Sequence, residues 1–139
     1  MKTKKYKDTK YVHFHNANPD NKRTGDCVIR ALSVATGKSW DDVLDDLSKI
    51  AHEVKSVPNN KDCYFKYLED NGFEKCKQMR KDDNTKYRGY EFLDKIKKTD
   101  IIVCHAGTHH LTTIKNKKFW DSWDCSSECI GIYWIKKSK

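Results

Sequence analysis

An α+β fold is what the sequence predicts, and three observations predict it. Apolar residues recur at helical spacing through the first two thirds of the chain, between about residues 27 and 98. From Ile101 onward the pattern changes to short β-branched and aromatic runs. Between two of those runs stands Lys115-Asn116-Lys117-Lys118, which reads as a hairpin turn. Helices followed by a small antiparallel sheet make an α+β domain. The 139 residues suit one domain, 1–139, with a modest core.

Residues 1–9 read as a solvated basic arm, and 136–139 as a basic tail. Residues 11–15 alternate weakly, predicting a short strand or a cover over a groove. Turn chemistry fills 16–21, and a first helix follows over about 27–36, with Ile29 and Leu32 inward and Gly37 as its stop. Ser39 and Asp42 are a cap-like start for a second helix. Its Val43, Leu44, Leu47, Ile50 and Ala51 share a face, and its acidic first turns suit the positive helix end. Pro58-Asn59-Asn60 opens a third helix, which turns Cys63, Tyr64, Tyr67 and Leu68 inward and stops at Asn71-Gly72.

An edge strand is predicted over 73–79, a charged loop over 80–86, and a short helix on Tyr90, Leu93 and Ile96 reaching about Lys98. Residues 101–104 form a buried strand, 109–114 a second, 119–123 a third and 129–135 a fourth. No internal repeat or low-complexity tract interrupts the series.

The totals exclude several classes. Charged residues make up 35% of the chain, yet apolar runs persist, so it is a globular chain and not a disordered one. No apolar run approaches membrane length, and no signal-type segment follows the basic start, which predicts a cytoplasmic protein. Six cysteines in such a compartment read as free thiols. Cys125 and Cys129 form one Cys-x-x-x-Cys pair without a matched second pair. Zinc on them with Cys63, Cys76, His105 or His109 is therefore not expected, and neither a metal nor another cofactor is assigned. The net charge of +8 is spread along the chain, which fits a solvated surface better than a nucleic-acid face.

One stretch carries chemistry: Asn21-Lys22-Arg23-Thr24-Gly25-Asp26-Cys27-Val28-Ile29-Arg30-Ala31-Leu32. A turn glycine and the cap-type Asp26 place Cys27 at the first position of a helix, where unpaired N–H groups favour thiolate. A nucleophilic cysteine needs a base, and the base needs an orienting group. His109 and His110 point to opposite faces of their strand. With Asn116-Lys117 at the centre of the hairpin, His110 lies diagonal to Asp121, and His109 lies across from Asp124. Spacing leaves both pairs open.

The loop-Gly-Asp-Cys helix start, the distant His-apolar strand and the aromatic-Asp-x-Trp strand occur in that order over about residues 16–135. Together they resemble the papain-like cysteine peptidases, and most of all the very small papain-like proteins of bacteria and phages. The resemblance implies a Cys27 nucleophile, a His110 general base and acid, and an Asp121 that orients the imidazole. It also implies an oxyanion-hole amide six residues before the cysteine, where Asn21 stands in place of the usual glutamine. The implied activity is acyl transfer from a protein or peptide substrate, as a peptidase or isopeptidase. The rival reading is a non-enzymatic basic binder on the same fold, blocking a protein partner or contacting nucleic acid.

Overall fold

Caps and stops written into the sequence set the ends of three helices that pack on one face of a sheet. The computed structural model describes residues 7–136. Helix α1 (Cys27–Thr36) stops where Gly37 adopts φ 77° and returns its N–H to the Ser33 carbonyl. Helix α2 (Trp40–Val54) starts with the Ser39 side chain accepting from the Asp42 N–H. Helix α3 (Lys61–Asp70) is capped by the Asn60 side chain, which accepts from the Asp62 N–H. Their buried sides join Ile29, Leu32, Val43, Leu47, Tyr64, Tyr67 and Leu68 in one cluster with Val103, Leu111 and Trp134 of the sheet.

Six strands form that sheet: β1 (Val12–Phe14), β2 (Phe73–Cys76), β3 (Ile102–Ala106), β4 (His110–Lys115), β5 (Lys118–Asp121) and β6 (Ile130–Lys136). Their order is β1-β5-β4-β3-β6-β2. All neighbours are antiparallel except β1, which lies parallel to β5. The expected antiparallel sheet of the last third is there, but β1 and β2 from earlier in the chain extend it, and the parallel β1 makes it mixed. The fully buried Val12 docks β1 on the open side of β5, and β2 closes the other edge against β6, with Lys136 of the expected tail pairing with Phe73.

Of the expected arm, residues 1–6 lie outside the described residues, as do 137–139 of the tail. Asp8 and Thr9 turn back onto β1. The Asp8 carboxylate bonds His13 Nδ1 at 2.6 Å, and Thr9 Oγ1 accepts from the Val12 N–H at 3.0 Å.

Strand β3 is buried on both faces, which is why residues 101–104 read as an unbroken apolar run instead of alternating. Val103 meets the helices, while Ile102, Cys104 and Ala106 meet a second cluster with Val12, Phe92, Phe119 and Ile130. That far face is covered by a short helix α4 (Gly89–Phe92), followed by a 3₁₀ turn at Leu93–Lys95. The helix predicted to run to about Lys98 is thus shorter and rotated. Phe92 and Leu93 point inward, whereas Tyr90 is exposed. The cause is the loop beside it, since Gly89 N–H donates to Glu128 O and Tyr90 N–H to Ser126 O, both at 2.8 Å. These tertiary bonds fix the helix where a local pattern would have let it slide. No helix among the described residues is long and apolar enough to cross a membrane.

Candidate active site

Cys27 is half-buried at the first position of α1, as its sequence context requires. The residue before it behaves differently from expectation. Asp26 occupies the cap position but makes no side-chain cap bond. Its carboxylate is buried and accepts instead from Asn18 Nδ2 at 3.0 Å, Trp40 Nε1 at 3.0 Å and Arg30 Nε at 2.9 Å. Those three partners take up the carboxylate, and the first turn of α1 receives no side-chain cap from it.

The hairpin of β4 and β5 brings up the imidazole. Asn116 and Lys117 are its central residues, both at φ 57°, and the ladder pairs Thr113 with Trp120 and Lys115 with Lys118. That register puts His110 diagonal to Asp121, whose Oδ2 meets His110 Nε2 at 2.5 Å. The side chains are 14% and 2% exposed. Trp123 lies against the ring of His110, with centroids 4.8 Å apart and planes at 60°. With Nε2 held by Asp121, Nδ1 is the nitrogen left for the Cys27 thiol.

Electrostatics follow from this packing. Burial raises the Cys27 thiol, but hydrogen bonds from His110 and from the Leu111 N–H, together with the charges of His110 and Arg30, hold it below its ordinary value. Burial disfavours the charged His110 ring, yet its bonds with Asp121, Cys125 and Cys27 push it up to about 11. Asp121 is resisted by burial and lowered by His110 and Arg30. All three shifts run the same way, each favouring the charged form: thiolate on Cys27, imidazolium on His110 and carboxylate on Asp121.

The other expected pair is not assembled. His109 is exposed in the turn before β4, and Asp124 is exposed beyond the end of β5. Asp124 Oδ1 serves the Ser126 N–H at 3.0 Å and the Ser126 hydroxyl at 2.6 Å. The ladder stops before reaching it, because the chain turns away after Asp121. Asn21 is exposed with φ 52°, and its N–H donates to the Asn18 carbonyl. The buried amide of this loop is Asn18, 5% exposed, and it holds Asp26.

Two groups stand at this site where sequence reading did not place them. Arg30 Nη1 donates to Asp121 Oδ1 and to Ser122 Oγ, each at 3.0 Å; only its i,i+4 spacing from Asp26 was visible in the sequence. Cys125 is fully buried beneath the site, its sulfur 3.8 Å from Asp121 Oδ2. Among the described residues, His110, Asp121 and Cys125 are the one trio of potential metal donors lying within 4.8 Å of one another. Cys63, Cys76, Cys129, His105 and His109 do not join it. The trio's oxygen is already bonded to the imidazole, and a guanidinium stands on the other carboxylate oxygen, an arrangement that disfavours a dication. A hollow of about 480 Å³, lined by Arg80, Lys81, Thr85, Lys86, Arg88, Glu91 and Cys129, contains none of the Cys27, His110 and Asp121 set.

Comparison of the chain with protein-family models, with curated proteins and with solved structures finds no match.

Proposed function

We propose that this protein is a papain-like cysteine hydrolase, a peptidase or isopeptidase that works by acyl transfer on a protein substrate. One arrangement carries the reading: an imidazole anchored through Nε2 to a buried carboxylate is electrostatically coupled to a thiol at a helix N-terminus. In the proposed cycle the Cys27 thiolate attacks the carbonyl carbon, and its charge passes to the carbonyl oxygen. The Cys27 N–H stabilises that oxyanion, with the Asn21 amide as the second donor that the family resemblance implies. The C–N bond then breaks as His110 gives its proton to the leaving amine, leaving a thioester on Cys27. Water, losing a proton to His110, attacks the thioester and releases the carboxylic acid, and the thiolate returns beside the imidazolium. Asp121 keeps the ring in register through both halves.

The depressed thiol and the helix-tip position support this reading over a passive binder, for which neither has a use. A site-resolved iodoacetamide profile tests it. Cys27 is expected to react at least tenfold faster than the other five thiols near pH 7, and His110→Ala to abolish the difference. The parent chain should also form a thioester, trapped by mass spectrometry on a peptide ester, that is absent in Cys27→Ala. Six uniformly sluggish thiols and no acyl-enzyme would overturn the hydrolase and leave the basic binder.

A further inference from the structure

Beyond Cys27, His110 and Asp121, a row of charges continues through Arg30 to Asp26, which is bonded to Trp40 at the start of α2. We propose that Arg30 is a positioning residue of this site, its guanidinium and Asp26 forming a buried strut that holds Asp121 against the imidazole. The purpose of the strut rests on the hydrolase reading; its geometry does not.

Both carboxylates of the strut are bonded through each oxygen, and the guanidinium reaches them through Nε and Nη1. Arg30 Nε is bonded to Asp26 Oδ1 at 2.9 Å, and its Nη1 to Asp121 Oδ1 at 3.0 Å. The three side chains are 14%, 4% and 2% exposed in the order Arg30, Asp26, Asp121. Asp26 Oδ2 is fixed in turn by Asn18 from the preceding loop and by Trp40 from the start of α2. Asp121 Oδ1 also accepts from the Ser122 N–H at 2.7 Å, which leaves Oδ2 for His110. With Oδ1 held by Arg30 Nη1 and by the Ser122 N–H, rotation of the carboxylate away from the ring would break two bonds.

Two features separate this from an ordinary structural ion pair. Asp26 forgoes the stabilising helix cap its position offers and holds Arg30 instead. Such a breach of a local rule is characteristic of functional sites. The second feature is sign. Along the row Asp26, Arg30, Asp121, His110 and Cys27 the charges alternate, and removing Arg30 would leave two buried carboxylates side by side. Each remaining group would then hold its proton more tightly, the Cys27 thiol included.

The test is the rate of Cys27 alkylation by iodoacetamide against pH in the full chain, followed by peptide mass spectrometry, with near-ultraviolet circular dichroism to check folding. For Arg30→Gln the acid limb is expected to move up by about 0.5–1 pH unit, a roughly threefold to tenfold loss of rate below the limb. A folded Arg30→Gln with the parent profile would overturn the proposal and make Arg30 a fold-holding ion pair only.

If Arg30→Gln does not fold, Arg30→Lys carries the test. An ammonium keeps the charge but cannot grip Asp26 and Asp121 together. The limb should then stay in place while the plateau rate falls roughly threefold or more, and an unchanged plateau would overturn the proposal. Neither readout needs a substrate. A chain that never acylates removes the hydrolase reading without touching this result.

Discussion

Asp121 and Asp124 are three residues apart, and only burial and direction separate their roles. Asp121 is 2% exposed and bonded to the imidazole; Asp124 is exposed and caps the turn at Ser126. Asp121→Ala is expected to lower kcat/KM by roughly 10²-fold or more, the usual scale for losing an acid–base group's support. Asp124→Ala should leave kcat/KM within about twofold and lower stability by about 1 kcal/mol through the lost turn bonds. Steady-state kinetics on one peptide ester decides, and the reverse ranking would move the orienting role to Asp124 and the base to His109. At this scale the His110 and Asp121 couple was legible as one of two options, because strand alternation and a two-residue turn fix who faces whom. Arg30 was not legible. Its contact with Asp121 joins residues 91 positions apart, and no local pattern reports on such a contact.

The elements whose ends are set locally were read closely, and those set by tertiary contacts were not. Helix α1 begins at a turn glycine plus Asp26 and ends at Gly37, so both ends could be read from neighbours in sequence. Helix α4 could not, because the 126–128 loop decides where it starts. The crowding there gives a sharp prediction. A Cβ on Gly89 would stand 2.7 Å from the Ser126 carbonyl oxygen and 2.9 Å from the Phe119 ring. The carbonyl is backbone, and Phe119 is fully buried at the centre of its cluster, so neither yields. Gly89→Ala is therefore expected to destabilise by about 1–3 kcal/mol, although alanine is the better helix former. Urea melts compare it with Tyr90→Ala, an exposed neighbour on the same helix that should change stability by less than about 1 kcal/mol.

For the whole molecule, the site makes stability depend on pH in a way that single variants expose. His110 has a folded pKa raised from 6.5 to about 11, so its contribution is fully present below pH 6.5 and is lost as pH rises through about 11. Cys27 has the opposite sense. Its folded pKa lies below the ordinary 9.0, so its contribution is present above that value and is lost as pH falls through the depressed one. Where the folded chain holds thiolate and imidazolium while the unfolded chain holds thiol and neutral imidazole, both states bind the same number of protons. The two slopes cancel, and the parent protein should show flat stability over that range.

Cys27→Ala removes one side of the balance but leaves His110 on Asp121. In that variant the folded state alone keeps the histidine proton above pH 6.5, so stability should fall with rising pH by up to about 1.4 kcal/mol per unit. Asp121 adds nothing here, since its depressed pKa affects stability only in acid. Urea unfolding of the parent and of Cys27→Ala between pH 6.5 and 9 measures the difference directly. Parallel curves would mean that Cys27 stays a thiol or that His110 is neutral in the folded chain at these pH values, and the ion pair on which the proposed acyl transfer depends would be absent.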